Sequence, residues 1–430
     1  MSSPIPVGDS ADDQAGSMSN PPYPPSTQAT SPPTSTWDIL LTYLRLGCTC
    51  FGGPLAHIGI FRSEFVTKRH WLDDAAFADL LALSHVLPGP TSSQLGFLIG
   101  WQRARLRGAL AAWLGFTAPS LAVMIAAGVL WSHLDPPGMG NALHGVTIAV
   151  LAIVVMAVRG MATTLCRGWR PAGIAAASAI AALALPEQWA QFAALAVAAL
   201  LGWRLLRPQP TADTPAAAPT IAVPGTNLVM ACLGLLVIAT VAAGWTADLD
   251  GPAQAAAACF RAGALVFGGG HVVLPLLQTP LVGSGTMDAA RFLGGYGITQ
   301  MMPGPLFTFA GFVGASVGSS PARAVLGGLL CAVAIFLPGL TLALAGLRVH
   351  GALRTRPGAA AALAGLAAGS VGILAAACVH PLGSEALKGW WDVGLFALAV
   401  AMNVLRVPSW ALVIALAGIT LVLGSIHSGW

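Results

Sequence analysis

FGGPLAHIGIF at residues 51–61 and VFGGGHVVLPLL at 266–277 are two versions of one phrase, and their spacing decides how the chain is organised. Phe51-Gly52-Gly53-Pro54 aligns with Phe267-Gly268-Gly269-Gly270 at an offset of 216, and upstream Arg45 aligns with Arg261 at the same offset. Downstream, Asp73 aligns with Asp288, Phe77 with Phe292, and Pro88-Gly89-Pro90 with Pro303-Gly304-Pro305, all at 215; Pro119 then pairs with Pro338 at 219. One match would mean little, but an ordered series with its punctuation kept is a duplication.

The chain of 430 residues is 56% hydrophobic and only 8% charged, so most side chains face lipid or one another and not water. Stretches such as 108–131, 227–246, 324–347 and 409–427 carry at most one acidic or basic residue, and each is long enough to cross roughly 30 Å of hydrocarbon. The net charge of +4 is dispersed, with no basic cluster alternating with aromatics, which argues against nucleic acid as a partner. The seven cysteines lack CxxC spacing and read as small core residues. No metal or cofactor is expected.

Four segments follow. Residues 1–36, rich in Pro, Ser, Thr and Gly without Lys or Arg, read as a disordered cytoplasmic tail. Residues 37–207 form the first repeat, 208–250 a proline-rich linker with one additional helix, and 251–430 the second repeat. Basic residues give the relative orientation. Arg62, Lys68, Arg69, Arg103, Arg105 and Arg107 flank the first Pro-Gly-Pro, against only Arg291 and Arg323 around the second; at the far end of the next helix the bias reverses, with Arg348, Arg354 and Arg356 in the second copy. Short cytoplasmic loops are enriched in such residues, so the copies point opposite ways. The crossings count correctly if 37–66 enters and leaves on one side, turning at Phe51 to Pro54, and if 75–87 and 91–101 form a second such hairpin. The expected fold is therefore all-α and polytopic, with two inverted repeats whose broken hairpins meet near the membrane midplane.

In hydrocarbon a backbone break survives only where protein or a polar cavity satisfies the freed groups, so four breaks imply a polar centre. After Pro90, Thr91, Ser92, Ser93 and Gln94 open a new helix beside free N–H donors and a positive dipole end, an arrangement suited to an anion. The second copy supplies only Thr308 among Leu306, Phe307 and Phe309, which makes the site asymmetric. Gly52, Gly53, Gly89, Gly268, Gly269, Gly270 and Gly304 add backbone donors that no side chain obstructs. Arg45 and Arg261 read either as lipid-facing cations or as counter-charges for the ion. His57, His85 and His271 lie near the tips and read first as polar core residues. Glu64 reads as one member of an ion-pair cluster with Arg62 and Arg69, with coupling to protons as its functional alternative. Asp73, Asp74 and Asp79 read as helix caps in preference to metal ligands, because the second copy keeps only Asp288.

Together, FGGPLAHIGIF (51–61), LPGPTSSQLGFLIG (87–100), VFGGGHVVLPLL (266–277) and GYGITQMMPGPLFTFAGFVGA (295–315) resemble the long, two-repeat form of the chromate ion transporter family, over nearly everything from Trp37 onward. The resemblance implies export of chromate across the bacterial inner membrane and chromate resistance, with sulfate as the competing oxyanion. It carries function onto Gly52, Gly53, Pro54, His57, Glu64, Arg69, Trp71, Pro88, Gly89, Pro90, Ser92, Ser93 and Gln94, and onto Arg261, Gly268, Gly269, Gly270, Pro275, Gln300, Pro303, Gly304, Pro305 and Thr308. Two departures stand out: His85 occupies a position where glutamine is expected, and Thr286-Met287 replaces Gly-Trp. Glu64, Arg69 and His85 are coupling or gating candidates. The alternatives are a carrier for sulfate or another oxyanion and, more distantly, a membrane-embedded enzyme. The expected partners are the transported oxyanion and the bilayer, with a homodimer as the assembly considered.

Overall fold

The computed structural model describes residues 35–131, 139–185, 187–206, 221–245, 251–355 and 357–427. The expected tail, up to residue 34, and most of the linker lie outside them. Every regular element within them is helical, which bears out the all-α reading. Five helices are long and apolar enough to cross a membrane, and others of 10–17 residues are apolar but shorter.

The chain begins with α1 (Thr36–Thr49), capped by the Ser35 hydroxyl, which accepts from Trp37 N–H. It turns at Cys50 to Gly52 into α2 (Gly53–Arg62), which runs on as a π-helical turn over Ser63–Lys68. Asp73 then caps α3 (Asp74–Val86), its Oδ1 accepting from Ala76 N–H at 2.7 Å. α4 (Thr91–Trp131) is two helices joined at a kink, because Ala104 and Arg105 leave helical dihedrals. At 14, 10 and 13 residues, α1, α2 and α3 are each too short to span a bilayer. Only the part of α4 beyond the kink is a full span. After it come α5 (Met139–Leu165), α6 (Trp169–Ala184), α7 (Glu187–Leu205) and the additional helix α8 (Thr226–Trp245).

From Pro252 the same sequence of elements recurs. α9 (Pro252–Leu265) breaks at Val266 to Gly269, and α10 (Val273–Val282) returns. Asp288 caps α11 (Ala289–Met301) as Asp73 caps α3, its Oδ1 accepting from Arg291 N–H at 2.8 Å. The second Pro-Gly-Pro leads through a short 3-10 turn into α12 (Phe309–Ser316), then α13 (Pro321–Thr355), α14 (Pro357–Val379), α15 (Leu382–Ala386), α16 (Trp390–Val404) and α17 (Ser409–His427).

The halves interlock. α5 packs against α16 and α17, while α14 packs against α6 and α7. His144 on α5 meets Asp392 on α16 at 2.7 Å, and Asp392 also accepts from the N–H groups of Lys388 and Gly389. Small residues set the close crossings in matched pairs. Gly47 lies against the Phe116 carbonyl and Gly263 against that of Ile335; Gly100 meets Gly108, and Gly314 meets Gly327. The outer surface is apolar: on α8, Met230, Val237 and Ile238 are each more than 60% exposed, as residues in contact with acyl chains are. This is a multi-pass membrane protein.

One staple fixes levels across the molecule. Trp101 Nε1 donates to Ala222 O at 2.7 Å, Gln102 Oε1 accepts from Ala222 N–H at 2.7 Å, and Arg348 Nη1 donates to Pro224 O at 3.0 Å. The end of the first part of α4 therefore sits level with Arg348 on α13. Arg323 lies at the other end of α13, roughly 37 Å away at 1.5 Å per residue.

Candidate functional site

Four chain breaks come together in a ring, and the bonds closing it are reciprocal. Gly89 N–H donates to Val266 O at 2.8 Å, and Gly304 N–H donates to Cys50 O at 2.9 Å. Cys50 and Val266 are aligned positions of the duplicated phrase, as are Gly89 and Gly304. Each Pro-Gly-Pro tip thus reaches across to the Gly-rich tip of the other copy. The tips are seated on the long helices just after the paired prolines: a Cβ on Gly89 would meet Gly339 Cα at 2.8 Å, and one on Gly304 would meet Ser120 Oγ at 2.9 Å. Both glycines have positive φ, +123° and +98°, where a side chain would be strained. Pro88, Pro90, Pro303 and Pro305 flank them, and Gly270 packs beside Leu306 and Phe307 to complete the circuit.

Tip one is tied to tip two through His57, which is buried. Its Nε2 lies 3.1 Å from Cys50 O and its Nδ1 3.3 Å from Ser92 Oγ. A carbonyl only accepts, so Nε2 carries the proton; the neutral ring then accepts at Nδ1 from the Ser92 hydroxyl. The hydroxyl hydrogen of Ser92 is therefore already used.

The first turn of α4 is unusually polar for a buried place. Thr91, Ser92, Ser93 and Gln94 are all buried, Gln94 completely. Gln94 Nε2 donates to Pro88 O at 2.7 Å and to Gly339 O at 3.0 Å. Both amide hydrogens are thereby spent on holding the loop to α13, and Gln94 is a clamp where the sequence suggested an ion ligand. Its Oε1 and the Ser93 hydroxyl are buried without a hydrogen-bond partner among the described residues. The intrahelical ladder starts only at Gln94 N–H, which bonds Pro90 O, so the N–H groups before it head a helix end with no acceptor of its own. Ser93 and these N–H groups form a compact set of unspent donors.

The second copy is less polar. Thr308 Oγ1 donates to Pro305 O at 2.9 Å, and His271 Nδ1 lies 2.8 Å from Tyr296 Oη, a partner that the sequence did not indicate. Among the described residues, Gln300 Nε2 is buried and makes no hydrogen bond of ordinary geometry. Gly52, Gly53, Gly268 and Gly269 form the turns of tips one and three. His85 is exposed in the last turn of α3.

The arginines stand apart from the ring. Arg45 Nη2 donates to the buried Glu64, which also accepts from Arg69 Nε at 2.8 Å and has Lys68 Nζ at 3.7 Å. Arg62, grouped with Glu64 from the sequence, instead pairs with Asp74 at 2.7 Å, because residues two apart on a helix face opposite ways; the π-helical turn brings Arg69, five residues on, back over Glu64. Arg69 and Arg103 also lie over the Trp71 ring at 5.3 and 5.7 Å, tying the first hairpin to the end of the second. Arg261 Nη1 donates to Ala243 O at 3.2 Å and lines a lateral cavity. Missing from the sequence reading were Ser120, Gly339, Cys50 and Val266. The first two immediately follow the paired prolines, which was the available signal.

The chromate transporter family profile matches residues 37–203 and 253–422. The chain is 30% identical over 369 residues to a chromate transport protein of Pseudomonas aeruginosa, covering 82% of this chain and 83% of that one. It is 27% identical to a chromate transport protein of Cupriavidus metallidurans, covering 74% and 77%, and 28% identical to a probable chromate transport protein of Synechococcus elongatus, covering 69% and 72%. No solved structure matches.

Proposed function

The chain belongs to the chromate transporter family, and we propose that it exports chromate, a tetrahedral dianion, from the cytoplasm through the ring of four tips. The observation that carries this reading is the buried first turn of α4, where, among the described residues, the Ser93 hydroxyl and the leading N–H groups have no protein acceptor. Desolvated donors without acceptors are costly, and a bound oxyanion supplies the missing oxygens. The positive end of the helix favours its charge. The unspent groups of this turn are mostly donors, which suits the oxygens of an oxyanion, with Gln94 Oε1 the one acceptor among them.

Release toward either side requires the tips to part, since the polar turn is buried behind them. The breaking points are the bonds Gly89 to Val266 and Gly304 to Cys50, each linking one copy to the other. We read residues 37–207 and 251–430 as inverted repeats and 208–250 as their connection. The staple supports this, because it holds Trp101 level with Arg348 and leaves Arg323 at the opposite end of α13. Rocking one repeat against the other would open the two faces alternately.

Energetics favour efflux. At about 2.3 kcal/mol per charge per 100 mV, a dianion gains roughly 5 kcal/mol on leaving a cell whose interior is 100 mV negative. The test is chromate flux in vesicles of set potential, with sulfate varied as competitor. Flux indifferent to potential would remove the driving force proposed here, and sulfate outcompeting chromate would make the protein a sulfate carrier.

A further inference from the structure

The duplication places Arg261 where Arg45 stands in the first copy, but the surroundings differ in charge. Arg45 is neutralised by Glu64, and Arg69 and Lys68 share that carboxylate. In the second copy, the run from Gly270 to Met287 contains no Asp, Glu, Lys or Arg. Thr279 and Pro280 fall where Glu64 would, and Ser284 and Gly285 where Arg69 would. Arg261 is half-buried, and among the described residues its hydrogen bond is to the Ala243 carbonyl, with no ion pair.

This guanidinium lines a cavity of about 390 Å³ between α7, α9 and α10. Gln191, Thr279 and Ser284 also line it. Gln191 Nε2 donates to Pro275 O at 2.6 Å and to Thr279 Oγ1 at 3.3 Å, and Ser284 is bonded to Pro280 O at 2.7 Å. The hydrogens of Gln191 and Ser284 are spent, whereas Thr279, accepting from Gln191, keeps its hydroxyl hydrogen. The donors left to the cavity are one cation with most of its five N–H groups unspent and one hydroxyl. A partly desolvated cation without a carboxylate is unfavourable unless an anion joins it, and the planar fork of arginine fits two oxygens of a tetrahedral oxyanion.

We propose that the Arg261 cavity is a second oxyanion site, separate from the four-tip ring, that takes a tetrahedral oxyanion either free or as the phosphate of an anionic lipid headgroup. The site does not require the transport reading to hold. Arg261 precedes Val266 by five residues, about 7.5 Å along α9, so a free ion held there is poised beside tip three.

The experiment is sulfate titration calorimetry on the full chain in nanodiscs of zwitterionic lipid, repeated with anionic phosphatidylglycerol added and with retained lipid read by native mass spectrometry. Wild type should bind two sulfates in zwitterionic lipid, and Arg261→Gln should bind one. Thr279→Glu, which returns a carboxylate to the cavity, should also lose that site while keeping the arginine, so a folding defect of one variant leaves the other decisive. If the natural occupant is a headgroup, phosphatidylglycerol will displace one sulfate from wild type and be retained by it but not by Arg261→Gln; a free-ion site will keep both sulfates. Either result supports the site. Sulfate stoichiometry and lipid retention that are the same in wild type and both variants would overturn it. Ser93→Ala serves as the separate control: its failure to weaken the remaining site would count against the ring and leave the Arg261 site standing.

Discussion

Gly89 donates its N–H to the carbonyl of Val266 at 2.8 Å, and nothing larger than glycine fits there. A Cβ at Gly89 would press on Gly339 Cα, which is backbone and cannot rotate away, at a φ of +123°. Its counterpart Gly304 meets first the Ser120 hydroxyl, which can turn aside. Gly89→Ala is therefore expected to lower the melting temperature and abolish flux, at a cost of about 1–3 kcal/mol for the strained backbone. Gly304→Ala should be the milder of the two. Thermal melts and flux on both variants check this, and equal damage would mean that the halves are seated alike.

Ser92 and Ser93 are neighbours with opposite duties. The Ser92 hydroxyl is spent on His57, so Ser92→Ala leaves a buried imidazole nitrogen unsatisfied and should cost roughly 1–3 kcal/mol of stability. Ser93 has no protein partner, so Ser93→Ala should leave the melting temperature nearly unchanged while raising the KM for chromate about tenfold, the loss of one hydrogen bond to a charged group. Reversal of the two phenotypes would put the ion on Ser92.

Much of this was legible in the sequence because membrane helices announce themselves by length and composition. The arms around Pro88-Gly89-Pro90, the caps at Asp73 and Asp288 and the additional helix near 227–246 stand close to where the residues placed them. What the sequence could not give was the direction of side chains. Arg45 lies on the same short arm whether it faces the ring or Glu64, and no compositional mark announces the π-helical turn at Ser63–Lys68 that brings Arg69 back over Glu64. The role of Gln94 as a clamp depends on Gly339, 245 residues away, a contact that no local pattern encodes.

The orientation of the two halves can be read directly. Cysteines replacing Arg103 and Arg348 should react with impermeant maleimide from the same side of intact inverted and right-side-out vesicles, and a cysteine replacing Arg323 from the other. The staple through Ala222 and Pro224 supplies the first expectation and the length of α13 the second. Labelling of positions 103 and 323 from one side would rule out inversion.

Glu64 is the most crowded carboxylate among the described residues, buried with Arg45, Arg69 and Lys68 around it. Glu64→Gln leaves three cations without their shared partner. Complete burial would make that cost about 3–5 kcal/mol, but the Arg45 and Lys68 side chains are 57% and 66% exposed, so about 1–3 kcal/mol is expected once screening by solvent is allowed for. Adding Arg45→Gln should restore part of the loss, since one of the repelling charges is then gone. Melting temperatures over this double-mutant cycle measure the coupling. A Glu64→Gln protein that melts like wild type yet no longer couples flux to a proton gradient would instead make Glu64 a proton carrier, one whose surrounding cations must move away before it takes up a proton.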